Sequence, residues 1–206
     1  MKNTAILIIG LLLLVSCTKS KKEFPVTELE YPDYVKVIKR ADWGWIPLEK
    51  GKEEAEIKKI TIHHGGVEFT ADKDPVKSIQ SLQKWSRAEK KWIDIPYHYM
   101  IDLKGNIYEA RPINYPGDTN TEYDPTGHAL VEIMGNYEVQ KFSDVQQESL
   151  INLIAFLADE FNVPLSEIKT HKDYSTKTVC PGKDVYKYFQ DSSIVKRVEK
   201  KLNELK

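Results

Sequence analysis

The stretch that decides the fold is Ile57-Lys58-Lys59-Ile60-Thr61-Ile62-His63-His64-Gly65-Gly66, with Asp74-Pro75-Val76 soon after it. Its first seven residues are rich in β-branched side chains and predict a strand, which the flexible glycine pair ends. Asp74 then predicts a helix N-cap with Pro75 at the first helical position, and Val76, Ile79 and Leu82 recur at helical spacing towards Trp85. The same alternation continues downstream. Tyr97 to Arg111 reads as two strands joined at Lys104-Gly105-Asn106, where glycine can supply a positive φ. Pro112 to Gly127, rich in Pro, Gly, Asn, Asp and Thr, reads as a long loop of the kind that carries function. Ala129 to Met134 is apolar enough for a buried strand. Ser143 with Gln146 forms a capping-box signature for a helix carrying Leu150, Ile154 and Leu157, which stops near Asn162 before Pro164. Ile194, Val198 and Leu202 predict a last amphipathic helix packed on the domain. The expected fold is α/β, a single domain with a central mixed β-sheet flanked by helices.

A chain of 206 residues with 41% hydrophobic residues, 30% charged residues and a formal net charge of -1 is composed like a globular domain with a tether. It lacks the basic excess that neutralises phosphates, so no nucleic-acid partner is expected. Its start departs from that average: Lys2 precedes an apolar run from Ala5 to Val15, too short to span a bilayer, which reads as a signal peptide. Leu14-Val15-Ser16-Cys17 resembles the lipobox of bacterial lipoproteins, which implies removal of residues 1–16 and acylation of Cys17. Acyl chains would hold the mature chain on a membrane without spanning it. Thr18 supplies no familiar inner-membrane retention signal, so the expected location is the outer membrane, facing the periplasm. Thr18 to Asp33 is polar, with Lys19, Lys21, Lys22, Pro25 and Pro32, and reads with Cys17 as a lipid-anchored tether over 17–33. Residues 34–206 are then the catalytic domain, expected to act as a monomer.

Side chains alternate along a strand, so only one of His63 and His64 can face a given site. Thr170-His171 and Thr178-Val179-Cys180-Pro181-Gly182 place an imidazole and a thiol on one loop-rich stretch. His63, His171 and Cys180 are together suited to zinc, which in catalytic sites takes three protein ligands and keeps a position for water. Two neutral imidazoles and one thiolate leave the ion net positive, which lowers the pKa of that water. A rival is a cysteine hydrolase with Cys180 as nucleophile and His171 as base, against which Cys180-Pro181-Gly182 reads as a turn without the activating helix start.

Five ordered motifs resemble the zinc-dependent N-acetylmuramoyl-L-alanine amidases, a family that includes peptidoglycan recognition proteins and an amidase-type phage lysozyme. They are Arg40-Ala41-Asp42-Trp43-Gly44, Ile60-Thr61-Ile62-His63-His64, Asp94-Ile95-Pro96-Tyr97-His98-Tyr99 with Gly105-Asn106-Ile107-Tyr108, Thr170-His171, and Thr178-Val179-Cys180-Pro181-Gly182. The resemblance implies a peptidoglycan recognition protein-like fold with Zn2+ on His63, His171 and Cys180. It implies cleavage by zinc-activated water of the amide between the muramic acid lactyl group and L-alanine of the stem peptide. Tyr97 would hydrogen-bond that water, and Thr178 would lie near the developing oxyanion. Glu132 stands where other branches carry a catalytic glutamate, although a glutamate on an apolar strand also serves to pair with a buried cation. A non-catalytic peptidoglycan-binding protein of the same fold is the alternative. Two departures stand out: Pro116-Gly117-Asp118-Thr119 replaces the relatives' Gly-x-His-Ala motif, and Leu130 replaces a frequent glycine.

Overall fold

The structure is a computed structural model that describes residues 24–52 and 56–205. In chain order the elements are β1 (Val37–Ile38), β2 (Lys59–His64), α1 (Pro75–Ala88), β3 (Tyr99–Ile101), β4 (Ile107–Glu109), β5 (His128–Ile133), α2 (Asp144–Glu160), β6 (Ile168–Thr170), α3 (His171–Tyr174), α4 (Lys183–Gln190) and α5 (Ser193–Glu204). The strands form one sheet in the order β1-β4-β3-β5-β2-β6. Among the described residues only the β3–β4 pair is antiparallel, so the sheet is mixed, as the sequence predicts.

Local chemistry explains the long elements. Asp74 Oδ1 accepts from the backbone N–H groups of Val76 and Lys77 at 2.9 and 3.3 Å, which opens α1. Ser143 and Gln146 close a full capping box on α2. Between β3 and β4, Gly105 takes a φ of 79°, while Asp102 Oδ1 accepts from the N–H groups of Lys104 and Asn106 at 2.8 and 2.9 Å.

The two faces of the sheet differ. One buries Ile60, Ile62, Val131, Ile133 and Ile101 against Leu150, Ile154 and Leu157 of α2 and Ile194 and Val198 of α5. Each fully buried side chain of this size contributes about 1.5–3 kcal/mol, so this layer dominates stability. On the other face Met100 and Tyr108 pack with Ile79 of α1 and with Trp43, whose Nε1 donates to Glu109 O at 2.6 Å. That face also carries Thr61, His63, His128 and Glu132, all buried. Burying polar groups costs stability unless they are hydrogen-bonded; Thr61 Oγ1 and His128 Nδ1 are, at 2.8 Å, while Glu132 Oε2 has no partner among the described residues.

Four short elements were not foreseen: β1, β6, α3 and α4. The tether expected over 17–33 is described only from Phe24 onward, and there it is not free chain. Leu29 is buried and Tyr31 donates to Glu109 Oε1 at 2.7 Å, because Leu29 and Tyr31 supply the apolar surface that the polar composition of the stretch conceals. The signal peptide expected over 1–16 and the lipid site expected at Cys17 lie outside the described residues. Among the described residues no helix is long and apolar enough to cross a membrane.

Candidate metal centre

Strand register builds the site. His63 lies on β2 level with Glu132 of β5, and Ile62 lies level with Thr170 of β6, so the next residue, His171, starts α3 beside His63. Asp173 Oδ2 fixes that start by accepting from Thr170 N–H and Thr170 Oγ1, both at 2.8 Å. Cys180 enters from the loop before α4, with its Sγ accepting from His64 N–H at 3.2 Å. His64 itself faces away: its Nδ1 accepts from Tyr137 N–H at 3.2 Å.

His63, His171 and Cys180 are buried, and one ligand atom from each lies within 4.8 Å of the others. Cys180 Sγ is 3.6 Å from His63 Nδ1, and the two imidazole centroids are 4.6 Å apart. A tetrahedral zinc with Zn–N of about 2.0–2.1 Å and Zn–S of about 2.3 Å sets its ligand atoms roughly 3.3–3.7 Å apart. The donor set therefore fits zinc in chemistry, and the Cys180–His63 pair fits it in spacing as well. Burial lowers the pKa of His63 well below the usual histidine value and that of His171 to about 4, so both rings stay neutral and able to ligate. Burial pushes the Cys180 thiol up to about 12, so a nearby cation is what would make it a thiolate.

Above the trio is a cleft of about 360 Å³ lined by His63, Tyr97, Thr121, His171, Thr178 and Cys180 among others. It shares Gly65, Trp92, Pro96, Tyr97 and Asn120 with an adjoining groove of about 340 Å³, whose walls include Phe69, Leu82, Trp85, Met100, Met134 and Glu132. Such volumes suit an extended small ligand. The Tyr97 ring is 5.2 Å from that of His63, and burial holds its phenol protonated, raising its pKa well above the usual tyrosine value. Thr178 Oγ1 accepts from Cys180 N–H at 3.1 Å, which leaves its own hydrogen to donate elsewhere.

Glu132 is the least conventional member. Its Oε2 is buried with no hydrogen-bond partner among the described residues, and burial raises its pKa to about 8. A Cβ at Gly65 would come within 2.6 Å of Glu132 Oε1, so the glycine makes room for the carboxyl. Two residues in the site were not singled out from the sequence. Tyr123 OH lies 3.2 Å from His63 Nε2, and Thr121 Oγ1 lies 2.7 Å from His171 Nε2. Their only signal was membership of the polar loop 112–127.

Fold and site define a class: a peptidoglycan recognition protein-like α/β domain whose cleft holds a group able to bind a metal. The chain belongs to the N-acetylmuramoyl-L-alanine amidase family, whose model matches residues 53–183. Among its relatives, rat peptidoglycan recognition protein 1 is 24% identical over 158 residues, covering 75% of this chain and 85% of that protein. An endolysin of Klebsiella phage KP32 is 22% identical over 145 residues, covering 68% and 90%. The solved structure of Drosophila PGRP-LB superposes with a TM-score of 0.63 at 24% identity, covering 72% of this chain and 88% of that one.

Proposed function

We propose that this chain is a zinc-dependent N-acetylmuramoyl-L-alanine amidase that cuts peptidoglycan between the lactyl carbonyl and the first alanine of the stem peptide. The observation that carries this reading is the gathering of His63, His171 and Cys180, ligand atoms within 4.8 Å of one another, under a cleft that opens into an aromatic groove. His63, His171 and Cys180 would hold zinc, which when bound supplies a Lewis acid that activates water and polarises the scissile carbonyl. The chain's own residues handle the rest. Tyr97, a phenol that keeps its proton, orients the attacking water, and Thr178 Oγ1–H points its free hydrogen at the oxygen where negative charge grows. Glu132 is protonated at neutral pH and hands its proton to the alanine nitrogen as the C–N bond breaks. It regains a proton from the water whose oxygen joins the carbonyl carbon, so the residue is unchanged after turnover.

A cysteine hydrolase finds less support, since the Cys180 thiol is buried and of raised pKa, and the imidazole set against its sulfur is that of His63. Against a protein that only binds peptidoglycan stands the retained Cys180, which completes a metal-ligand trio. Purified peptidoglycan digested with the zinc-loaded protein should yield stem peptides with a free alanine amino terminus and glycan strands with bare lactyl carboxylates, both read by mass spectrometry. Cuts within the stem, or deacetylated sugars with stems attached, would overturn the amidase while sparing the zinc site. Intact peptidoglycan would leave the binding reading.

A further inference from the structure

We propose that Thr121 and Tyr123, neighbours on the loop over residues 112–127, are positioning residues that each take the Nε2–H of one histidine ligand, so that both rings present Nδ1 to the metal. This rests on the zinc reading above and adds to it the residues that orient the ligands. The sides of the rings can be assigned from distances. His63 Nδ1 faces Cys180 Sγ at 3.6 Å, while its Nε2 faces Tyr123 OH at 3.2 Å. His171 Nε2 is 2.7 Å from Thr121 Oγ1, which leaves Nδ1 as its ligating atom.

Neither hydroxyl is loosely held. Thr121 Oγ1 lies 3.0 Å from Thr119 Oγ1, which also accepts from Thr121 N–H at 3.2 Å. Thr121 can thus donate its hydrogen to Thr119 while its lone pairs stay on His171. The Tyr123 ring stacks on Tyr174 at 5.5 Å and tilts against His128 and His171 at 5.5 and 5.1 Å. The loop has no regular secondary structure, yet Arg111, buried in the domain, bonds to Pro116 O and Asp118, and His98 Nε2 bonds to Tyr115 O at 2.9 Å. A loop so tied can orient side chains as firmly as a strand.

The choice of acceptor has a chemical consequence. A metal-ligating histidine commonly gives its second N–H to a carboxylate, a carbonyl or water, which fixes its tautomer and raises its basicity. Two neutral hydroxyls fix the tautomers without adding negative charge. Cys180 is then the sole anionic ligand, and a bound dication keeps most of its electrophilic character.

The test uses the wild-type protein with Thr121→Val, Thr121→Ser and Tyr123→Phe. Zinc affinity, measured by chelator competition, should fall about tenfold to a hundredfold in Thr121→Val and in Tyr123→Phe. Thr121→Ser, which keeps the hydroxyl, should restore it. Histidine nitrogen NMR of the zinc-free wild type should show Nε2–H tautomers on His63 and His171, with the preference of His171 weakened in Thr121→Val and that of His63 in Tyr123→Phe. That signature would not move if the side chains merely filled space. Wild-type affinity retained in both variants, or Nδ1–H tautomers in the wild type, overturns the proposal alone. A wild type that takes up no zinc overturns the metal reading and the proposal together.

Discussion

Tyr97 and Glu132 line one groove and are both held protonated by burial, but only the carboxyl sits near a pH where it can give its proton and take it back. Tyr97→Phe should keep zinc and lose on the order of a hundredfold in rate, since it removes a hydrogen bond made to the reacting water. Metal content by mass spectrometry beside turnover on muropeptides checks both halves, and unchanged turnover would return Tyr97 to a packing role. For Glu132 the raised pKa makes a stability prediction as well. The folded value of about 8 exceeds the usual carboxyl value of 4.5, so between those limits the folded state binds the extra proton and stability falls as pH rises. Denaturation of the zinc-free protein should show wild type losing ground to Glu132→Gln by at most about 1.4 kcal/mol per pH unit between pH 5 and 8. Parallel pH profiles would show that the carboxyl ionises freely. That His63, His171 and Cys180 come together was legible because imidazole and thiol are rare, strong ligands in ordered motifs. Thr121 and Tyr123 were not, because a hydroxyl in a polar loop looks the same whether it holds a ligand or water.

Among the elements, those with caps and a sustained period were legible: α1 from Asp74-Pro75, α2 from its capping box, α5 from Ile194, Val198 and Leu202. Strand β6 and helix α3, of three and four residues, carry no period to read. They exist because Ile168 and Thr170 pair with β2, a long-range contact that no local pattern announces. The loop over 112–127 was legible as a loop, but its anchoring was not. At its base Gly117 crosses directly over the Leu130 side chain, which fills the space a side chain at 117 would need. A Cβ at Gly117 would also meet Pro96 O at 2.7 Å, and Pro96 belongs to the wall shared by both clefts. Gly117→Ala should therefore destabilise by roughly 1–3 kcal/mol through overpacking, and weaken zinc binding as the loop carrying Thr121 and Tyr123 lifts. Chemical denaturation with chelator competition measures both. If stability drops and zinc affinity does not, the loop base and the ligand-orienting segment are mechanically separate.

On the scale of the whole molecule, the proposed anchor and the proposed metal constrain the chain at different points. Cys17 is read as the only membrane attachment, so Cys17→Ser should move the protein from the membrane fraction to the soluble exported fraction with activity intact. A serine variant that still pellets with membranes would overturn the lipobox reading. The metal acts further along. His63, His171 and Cys180 belong to β2, the start of α3 and the loop before α4, so one ion would tie the strand next to the β6 edge of the sheet to the C-terminal third of the chain. An ion bound by the folded state and not by the unfolded chain stabilises by about 4 kcal/mol when present at a thousand times its dissociation constant. For a domain of this length that raises the thermal midpoint by roughly ten degrees. Zinc added to the stripped protein should produce this rise and a chelator should reverse it. In Cys180→Ala the midpoint should be nearly indifferent to zinc, because two imidazoles alone hold the ion poorly. The stripped wild type should still fold, since the layer formed with α2 and α5 needs no metal. A midpoint that ignores zinc in the wild type would show that the trio does not gather an ion in the folded protein. Equal shifts in wild type and Cys180→Ala would place the ion elsewhere.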